Sequence, residues 1–277
     1  MSDSAYLRLS NGDWSDCLHD SLRFLRHAWS HEWPGLPALL DRCAAFLGLE
    51  GAEGETRSLL AAAHAAAAQI ELEEGRSPGG DEPGYHNRLH FADTLTCLTL
   101  QTALEARLHR GDARWQAALL LIAVGHDMRH PGRNNLHTSD IESLSVEALM
   151  PFMQEQNISA EWIDRVSTVI LRSDFALVRE NHERVNGHPF TWNTDWASVL
   201  LNEADIMASL SETFGPPLSL SLAKEWEIAD FPAHRWVATP EGRWKFINSV
   251  RLTSQSSRIL GAQETLQAQL DAGPSPN

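Results

Sequence analysis

The sequence lacks the segments that carry a protein into or across a membrane. No apolar run reaches the roughly 18 residues that a transmembrane helix needs. Residues 1–14 show neither the basic stretch nor the apolar stretch of a signal peptide. From these absences we expect a cytoplasmic protein that has no membrane partner.

Cysteine and positive charge are also scarce. The chain has three cysteines, Cys17, Cys43 and Cys97, and their spacing fits neither a disulfide framework nor a zinc knuckle, so we predict buried, reduced thiols. Lysine and arginine number 22 against 37 acidic residues, which gives a formal net charge of -15. This balance excludes a nucleic-acid polymer as the partner. A small phosphorylated substrate remains compatible, because a bound metal ion reverses the local potential.

Patterns that predict β-strands are nearly absent. Apolar residues instead recur three or four positions apart, as in Leu18, Leu22 and Leu25, which indicates helices. With 277 residues, of which 43% are hydrophobic, the chain is long enough to bury a sizeable core. We therefore predict an all-α fold, a compact bundle of many helices.

A glycine- and proline-rich stretch, Gly75 to Gly84, divides the chain. We predict that residues 1–75 form a helical section packed on the bundle, residues 76–271 form the core, and residues 272–277 are a disordered tail. The N-terminal section is a regulatory module, the interface of a homodimer, or an outer layer. The later helices are expected at Asn87–Arg110, Arg114–Asp127, Ser139–Gln156 and, as one long helix, Pro240–Leu270.

The chemistry is concentrated in the stretch LIAVGHDMRHPGRNN, which begins at Leu121. An apolar helix delivers His126 and Asp127 in its last turn, and a proline-glycine pair ends it. Burying an unpaired charge is expensive, so we predict a divalent cation as the partner of this pair. His130 is either a further polar group near the metal or a cation favoured by the helix C-terminus.

Two other segments offer the ligands that such a cation still lacks. His86 and His90 lie four residues apart, on one face of a predicted helix; the alternative is a pair of surface histidines. Asp205 lies in a mostly apolar helix, where an inward carboxylate needs a cation; the alternative is a solvated surface acid. Asp93 and Glu142 are expected to support the centre from outside the ligand set.

These blocks, in this order, resemble the class I cyclic-nucleotide phosphodiesterases of the HD-domain metal-dependent phosphohydrolase superfamily. HNRLHFAD, GHDMRHPGRNN and EAD match the family patterns YHNxxHAxD, HDxxHPGxxN and AD. The resemblance covers roughly residues 85–259. It implies an all-helical HD-domain bundle with two divalent metal ions (Mg, Mn, Zn or Fe) that are bridged by a hydroxide. The implied ligands of the first metal are His90, His126, Asp127 and Asp205, and Asp127 bridges to the second.

The resemblance also implies roles for the neighbouring groups. His86 becomes the general acid on the leaving oxygen, because it stands one turn from a metal ligand without binding the metal. His130 is the second catalytic candidate, and Asn87 joins Asp93 and Glu142 as a supporting residue. The two metal ions lower the pKa of the bridging water and clamp the phosphoryl oxygens.

The chain departs from the family pattern at two positions. Arg129 stands where the family has an acidic residue, which alters the water network of the second metal. Phe246 matches a residue that stacks on the purine, but Arg243 replaces the glutamine that reads it. Arginine only donates hydrogen bonds, so Arg243 suits guanine O6 and N7 or a second phosphate, unless it faces solvent. Cyclic AMP is therefore disfavoured.

We predict a metal-dependent phosphodiesterase that acts on a small, nucleotide-like phosphoester. One alternative is an HD-type di-iron oxygenase, which would recruit His130, Glu142 and His182 as further ligands. The other is a ligand-binding HD protein with weak catalysis, for which Arg129 and Arg243 are the suspicious substitutions. Measurements of metal content and of phosphoester hydrolysis distinguish these three functions.

Overall fold

Helices form the architecture, which confirms the all-α prediction. The computed structural model describes residues 6–74 and 82–273; within these ranges the only β-pairing is an isolated bridge between Ser10 and Asp13. The helices are α1 (Trp14–His31), α2 (Leu36–Phe46), α3 (Gly54–Glu74), α4 (Arg88–His109), α5 (Ala113–Gly125), α6 (Asp140–Glu155), α7 (Ala160–Leu171), α8 (Val178–Val185), α9 (Thr194–Leu210), α10 (Gly215–Ile228), α11 (Pro240–Ser249), α12 (Gln255–Ile259) and α13 (Ala262–Ala272).

Two apolar helices, α4 and α5, form the centre of the bundle. Every residue of α5 from Trp115 to Gly125 is buried, and α4 is buried without interruption from His90 to Thr102. Helix α9 packs along α4, and α3 packs along α5. Side chains at the start of α4, the end of α5 and the second half of α9 are therefore brought together. No helix in the described ranges has the length and apolar character that crossing a bilayer requires.

The N-terminal helices share one hydrophobic core with this centre. Helices α1 and α2 pack on α4, and the same apolar cluster contains Leu25, Leu40, Leu95 and Leu120. The three cysteines are buried and free, as expected. The division near residue 75 remains a prediction, because residues 75–81 lie outside the described ranges. The same holds for residues 274–277 of the predicted tail, whereas Ala272 is the last residue of α13.

The prediction of one long helix from Pro240 to Leu270 is wrong. The chain forms α11, α12 and α13 there, with breaks at Val250, whose backbone is extended, and at Gly261, whose φ is +77°. The physical reason is Glu203 of α9. Its buried carboxylate accepts hydrogen bonds from the backbone N–H groups of Thr253 and Ser254, and these two residues therefore leave the helical path.

Candidate metal centre

Four side chains from three helices converge at the end of the buried pair α4 and α5. They are His90 of α4, His126 and Asp127 at the end of α5, and Asp205 of α9, and each offers a ligand atom within 4.8 Å of the others. His90 Nε2 lies 3.1 Å from Asp127 Oδ2 and 3.0 Å from Asp205 Oδ1. His126 Nε2 lies 3.2 Å and 3.6 Å from the same two atoms. The structure thus brings together the four ligands predicted for the first metal.

Local capping places these ligands. Asn87 caps α4 by accepting hydrogen bonds from the N–H groups of Leu89 and His90, so His90 stands in the first turn. Helix α5 ends at Gly125, slightly earlier than predicted, and His126 is its C-cap residue. A Cβ at Gly125 would lie 2.6 Å from Leu149 Cδ2, so any larger residue here would displace this buried leucine of α6.

The histidine at this helix end has a free acceptor that fits a cation in the cluster. His126 Nδ1 donates to the carbonyl oxygen of Ala123 at 2.9 Å, which leaves Nε2 of the neutral ring as an acceptor. That Nε2 is buried and has no hydrogen-bond partner. It faces oxygens of Asp127 and Asp205, which also only accept. Acceptors that converge in a buried space require a positive charge between them, and a histidine held through its other nitrogen is a typical metal ligand.

The pKa shifts in the cluster have the same origin. Burial lowers the pKa of His90, but hydrogen bonds and charge from Asp127 and Asp205 outweigh it and raise the pKa to about 9. The pKa of His126 is likewise raised. Burial raises the pKa of both carboxyls, and the two imidazoles hold it well below its usual range. The cluster therefore favours one added positive charge, which is a proton or a metal ion.

A second group of side chains stands beside the first. His86 Nδ1 lies 2.5 Å from Glu225 Oε1, and the rings of His86 and His130 stack with centroids 3.6 Å apart. His130 Nδ1 accepts a hydrogen bond from Gly132 N–H at 3.1 Å, so the proton of the neutral ring sits on Nε2. The three residues also offer atoms within 4.8 Å of one another. The Nδ1 atoms of the two histidines are already used in hydrogen bonds, so we assign this group to proton handling.

The interpretation of His130 as a helix C-terminal cation is wrong. Its side chain is 8% exposed, and burial, reinforced by the charge of His86, lowers its pKa to about 4. The ring is therefore neutral at neutral pH. It lies against His86, within reach of the metal centre, as the other interpretation requires.

Glu225 of α10 is a site residue that the sequence did not reveal. Its Oε1 binds His86, while its Oε2 accepts hydrogen bonds from the backbone N–H groups of Tyr85 and His86 at 2.7 and 3.0 Å. Burial raises its pKa, but the bond to His86 dominates and lowers it to about 2. No local pattern marks this glutamate in its helix. The close approach of Gly132, whose Cβ would meet Glu225 Cγ at 3.3 Å, is recognisable only in the folded chain.

The supporting residues take roles that differ from those expected. Asn87 caps α4, as described. Asp93 was expected to orient His90, but both of its oxygens accept hydrogen bonds from Arg26 of α1. Glu142 accepts from Asn135 Nδ2 through both oxygens, and burial raises its pKa to about 7.

The two predicted substrate residues serve the fold. Arg243 donates to the carbonyl oxygens of Ser209 and Ser211, at 3.1 and 3.2 Å, and to Gln269 Oε1 at 3.0 Å. These bonds cap the C-terminus of α9, and donors engaged in this way are not free to read a base. Phe246 packs against a small apolar cluster that contains Leu210. Contact of either residue with a substrate remains a prediction.

Arg129, the departure from the family pattern within the second motif, lies at the surface. Its side chain is 61% exposed and pairs with Glu73 of α3, with Nη2 3.2 Å from Oε1.

No protein-family model matches this chain, and no curated protein sequence matches it either. The likeness to the phosphodiesterases therefore rests on the three sequence motifs.

Proposed function

We propose that this protein is a metal-dependent phosphohydrolase of the HD-domain type, acting as a phosphodiesterase on a small, nucleotide-like phosphoester. The observation that carries the proposal is the pairing of two groups: a buried cluster that needs a cation, and a histidine-glutamate pair beside it. His90, in the first turn of α4, belongs to the first group, and His86, just before this helix, belongs to the second. The centroids of the two rings lie 5.5 Å apart.

His90, His126, Asp127 and Asp205 would hold the cation. When bound, a divalent ion supplies Lewis-acid stabilisation of the phosphoryl oxygens and acidifies water. The acceptor character of His126 Nε2 fits this role, since a metal ligand must present a lone pair. A second ion, shared through Asp127, is part of the same proposal.

His86 and Glu225 act as a proton-donating pair. The bond from His86 Nδ1 to Glu225 Oε1 fixes the ring, so its Nε2 is the nitrogen that can hand a proton to the leaving oxygen. Because the pKa of Glu225 is lowered to about 2, its carboxylate stays ionised and stabilises the protonated imidazole. Neutral His130 flanks the pair and offers its Nε2–H as a donor to the substrate.

The test combines metal binding with a phosphoester panel. The panel holds a chromogenic bis-phosphate, cyclic AMP, cyclic GMP and linear nucleotides, each with Mg²⁺, Mn²⁺, Zn²⁺ or Fe²⁺. We expect Asp127→Ala to lose metal binding and hydrolysis together. His86→Gln should retain the metal and lose about 100-fold in kcat, while His188→Gln, at an exposed histidine, changes neither. Full activity of Asp127→Ala would refute the proposal.

The alternatives receive less support from the geometry. The di-iron reading needs further ligands, but among the described residues neither Glu142 nor His182 joins a ligand cluster. His182 Nδ1 is instead paired with Thr253 Oγ1 at 2.7 Å. A protein that only binds its ligand would not require the His86–Glu225 pair. Oxygen consumption by the iron-loaded protein, or a nucleotide recovered intact after long incubation, would favour these alternatives.

A further inference from the structure

Asp93 is a buried carboxylate one helical turn beyond the metal ligand His90. Its side chain is 2% exposed, and its two oxygens lie 2.5 and 2.7 Å from Nη1 and Nη2 of Arg26. Residues three apart on a helix share a face, so Asp93 and His90 project toward the same side of α4. Without a partner, this carboxylate would add to the negative charge around the cation.

The charge of Asp93 acts on Tyr85, whose ring packs against the proposed metal ligand His90. The ring of Tyr85 lies 4.9 Å from the ring of His90. Burial raises the pKa of Tyr85, and the charges of Asp205, Asp93 and Asp127 contribute in the same direction. Asp93 thus acts on the same phenol as the two carboxylates of the metal centre.

Arg26 comes from the N-terminal section and is held firmly. Its Nη1 also donates to the carbonyl oxygen of Leu22 at 3.1 Å, and its guanidinium lies 4.4 Å from the ring centroid of Phe214. Two parallel hydrogen bonds from a guanidinium to one carboxylate form a strong, directional pair. The Asp93 carboxylate is therefore committed to Arg26.

We propose that Arg26 sets the charge of the metal centre by cancelling Asp93, so that only Asp127 and Asp205 oppose the cation. The inference rests on the proposed metal centre. An uncancelled carboxylate beside the ligands would add negative charge, so the site would bind a cation more tightly and release it less readily. The N-terminal section thereby contributes a group that tunes metal affinity from outside the ligand motifs.

The test is isothermal titration of the full-length protein with Mn²⁺ alone and with Zn²⁺ alone. Asp93→Asn leaves the Arg26 charge uncompensated near the site and should weaken affinity about tenfold or more. Arg26→Gln leaves the carboxylate and should tighten binding about threefold or more. The double variant removes both charges and should return to within about threefold of the wild type.

A second ion pair, whose arginine is similarly exposed but whose carboxylate is 40% exposed rather than 2%, serves as the control. Arg172 pairs with Asp195 at 2.7 Å, and its side chain is 24% exposed, against 21% for Arg26. Arg172→Gln and Asp195→Asn should lower the Tm and leave metal affinity unchanged. If Arg26 has only a structural role, Arg26→Gln and Asp93→Asn should shift metal affinity in the same direction or leave it unchanged. Either result overturns the proposal.

Two further outcomes are decisive. If Arg26→Gln fails to fold, comparing Asp93→Asn with the double variant still tests the proposal. Equal metal affinities of these two variants would overturn the charge argument. A wild-type protein that binds metal but hydrolyses no ester refutes the hydrolase and leaves this inference standing. A wild-type protein that binds neither Mn²⁺ nor Zn²⁺ refutes both.

Discussion

Helix α9 carries two inward acidic residues, the buried Glu203 and the half-buried Asp205, whose surroundings differ. Glu203 accepts hydrogen bonds from the backbone N–H groups of Thr253 and Ser254, from Gln101 Nε2, and from the hydroxyls of Ser254 and Ser257. Asp205 faces imidazole nitrogens, one of which is an acceptor without a partner. A buried carboxylate surrounded by backbone and hydroxyl donors has a structural role, and one that faces two imidazoles beside a second carboxylate is a candidate cation site. The neighbours, rather than the residue type, decide the role.

Neutralising Glu203 and Asp205 in separate variants is expected to give the largest difference between the two acids. We expect Asp205→Asn to weaken metal affinity more than about 100-fold, because a ligand is lost. Glu203→Gln should leave metal affinity within about threefold and lower the free energy of unfolding, since an amide cannot accept all five hydrogen bonds. Metal titration and chemical denaturation of both variants measure the two effects. Equal losses of metal affinity would show that the distinction is false.

A smaller effect is expected from removing one donor around Glu203. Ser254→Ala deletes a hydroxyl that donates to the buried carboxylate, which should cost about 1–3 kcal/mol in the free energy of unfolding. The metal affinity should not change. Ser249→Ala, which removes a hydroxyl bonded to the carbonyl oxygen of Phe246, is the control and should cost less than about 1 kcal/mol. A Ser254→Ala protein as stable as the wild type would contradict the donor argument.

The pH dependence of metal affinity tests whether His90 is a ligand. In the metal-free protein the pKa of His90 is raised from 6.5 to about 9. The stabilisation from its protonated ring is therefore complete below about pH 6.5 and is lost as the pH rises through about 9. A metal ion must displace this proton, so metal affinity should rise up to about tenfold per pH unit within that window. Titrations in buffers of different ionisation enthalpy measure the released proton. Affinity that does not change with pH would argue against His90 as a ligand.

The parts of the centre that the sequence predicts are those whose geometry is local. Adjacency joins His126 to Asp127, so this assignment needs no knowledge of packing. The prediction that His86 and His90 share a helical face is wrong, because α4 begins at Arg88 and His86 precedes it, held by its bond to Glu225. Asp205 was recognisable because its helix is apolar. Glu225 was missed because its bond to His86 spans 139 positions of the chain, and no periodicity specifies which helices become neighbours.

The same reason explains the misjudged C-terminal region and the unexpected partner of Asp93. The residues that interrupt Pro240–Leu270 do so because Glu203, about 50 positions earlier in the chain, binds their backbone. Arg26 reaches Asp93 across 67 positions. Helix propensity predicted one helix in the C-terminal region, and the spacing of Asp93 from His90 predicted a partner of that imidazole; tertiary contacts overrode the first prediction and gave Asp93 a different partner.

The position of Glu225 in the chain has a consequence for biosynthesis. The partner that fixes His86 lies on α10, C-terminal to all four metal ligands. During synthesis at roughly 5–20 residues per second, the ribosome adds Asp205 about one to four seconds before Glu225. A nascent chain thus acquires its last metal ligand before it acquires the carboxylate that orients the proton donor. The order of synthesis thus separates the proposed ligand set from the carboxylate that fixes His86.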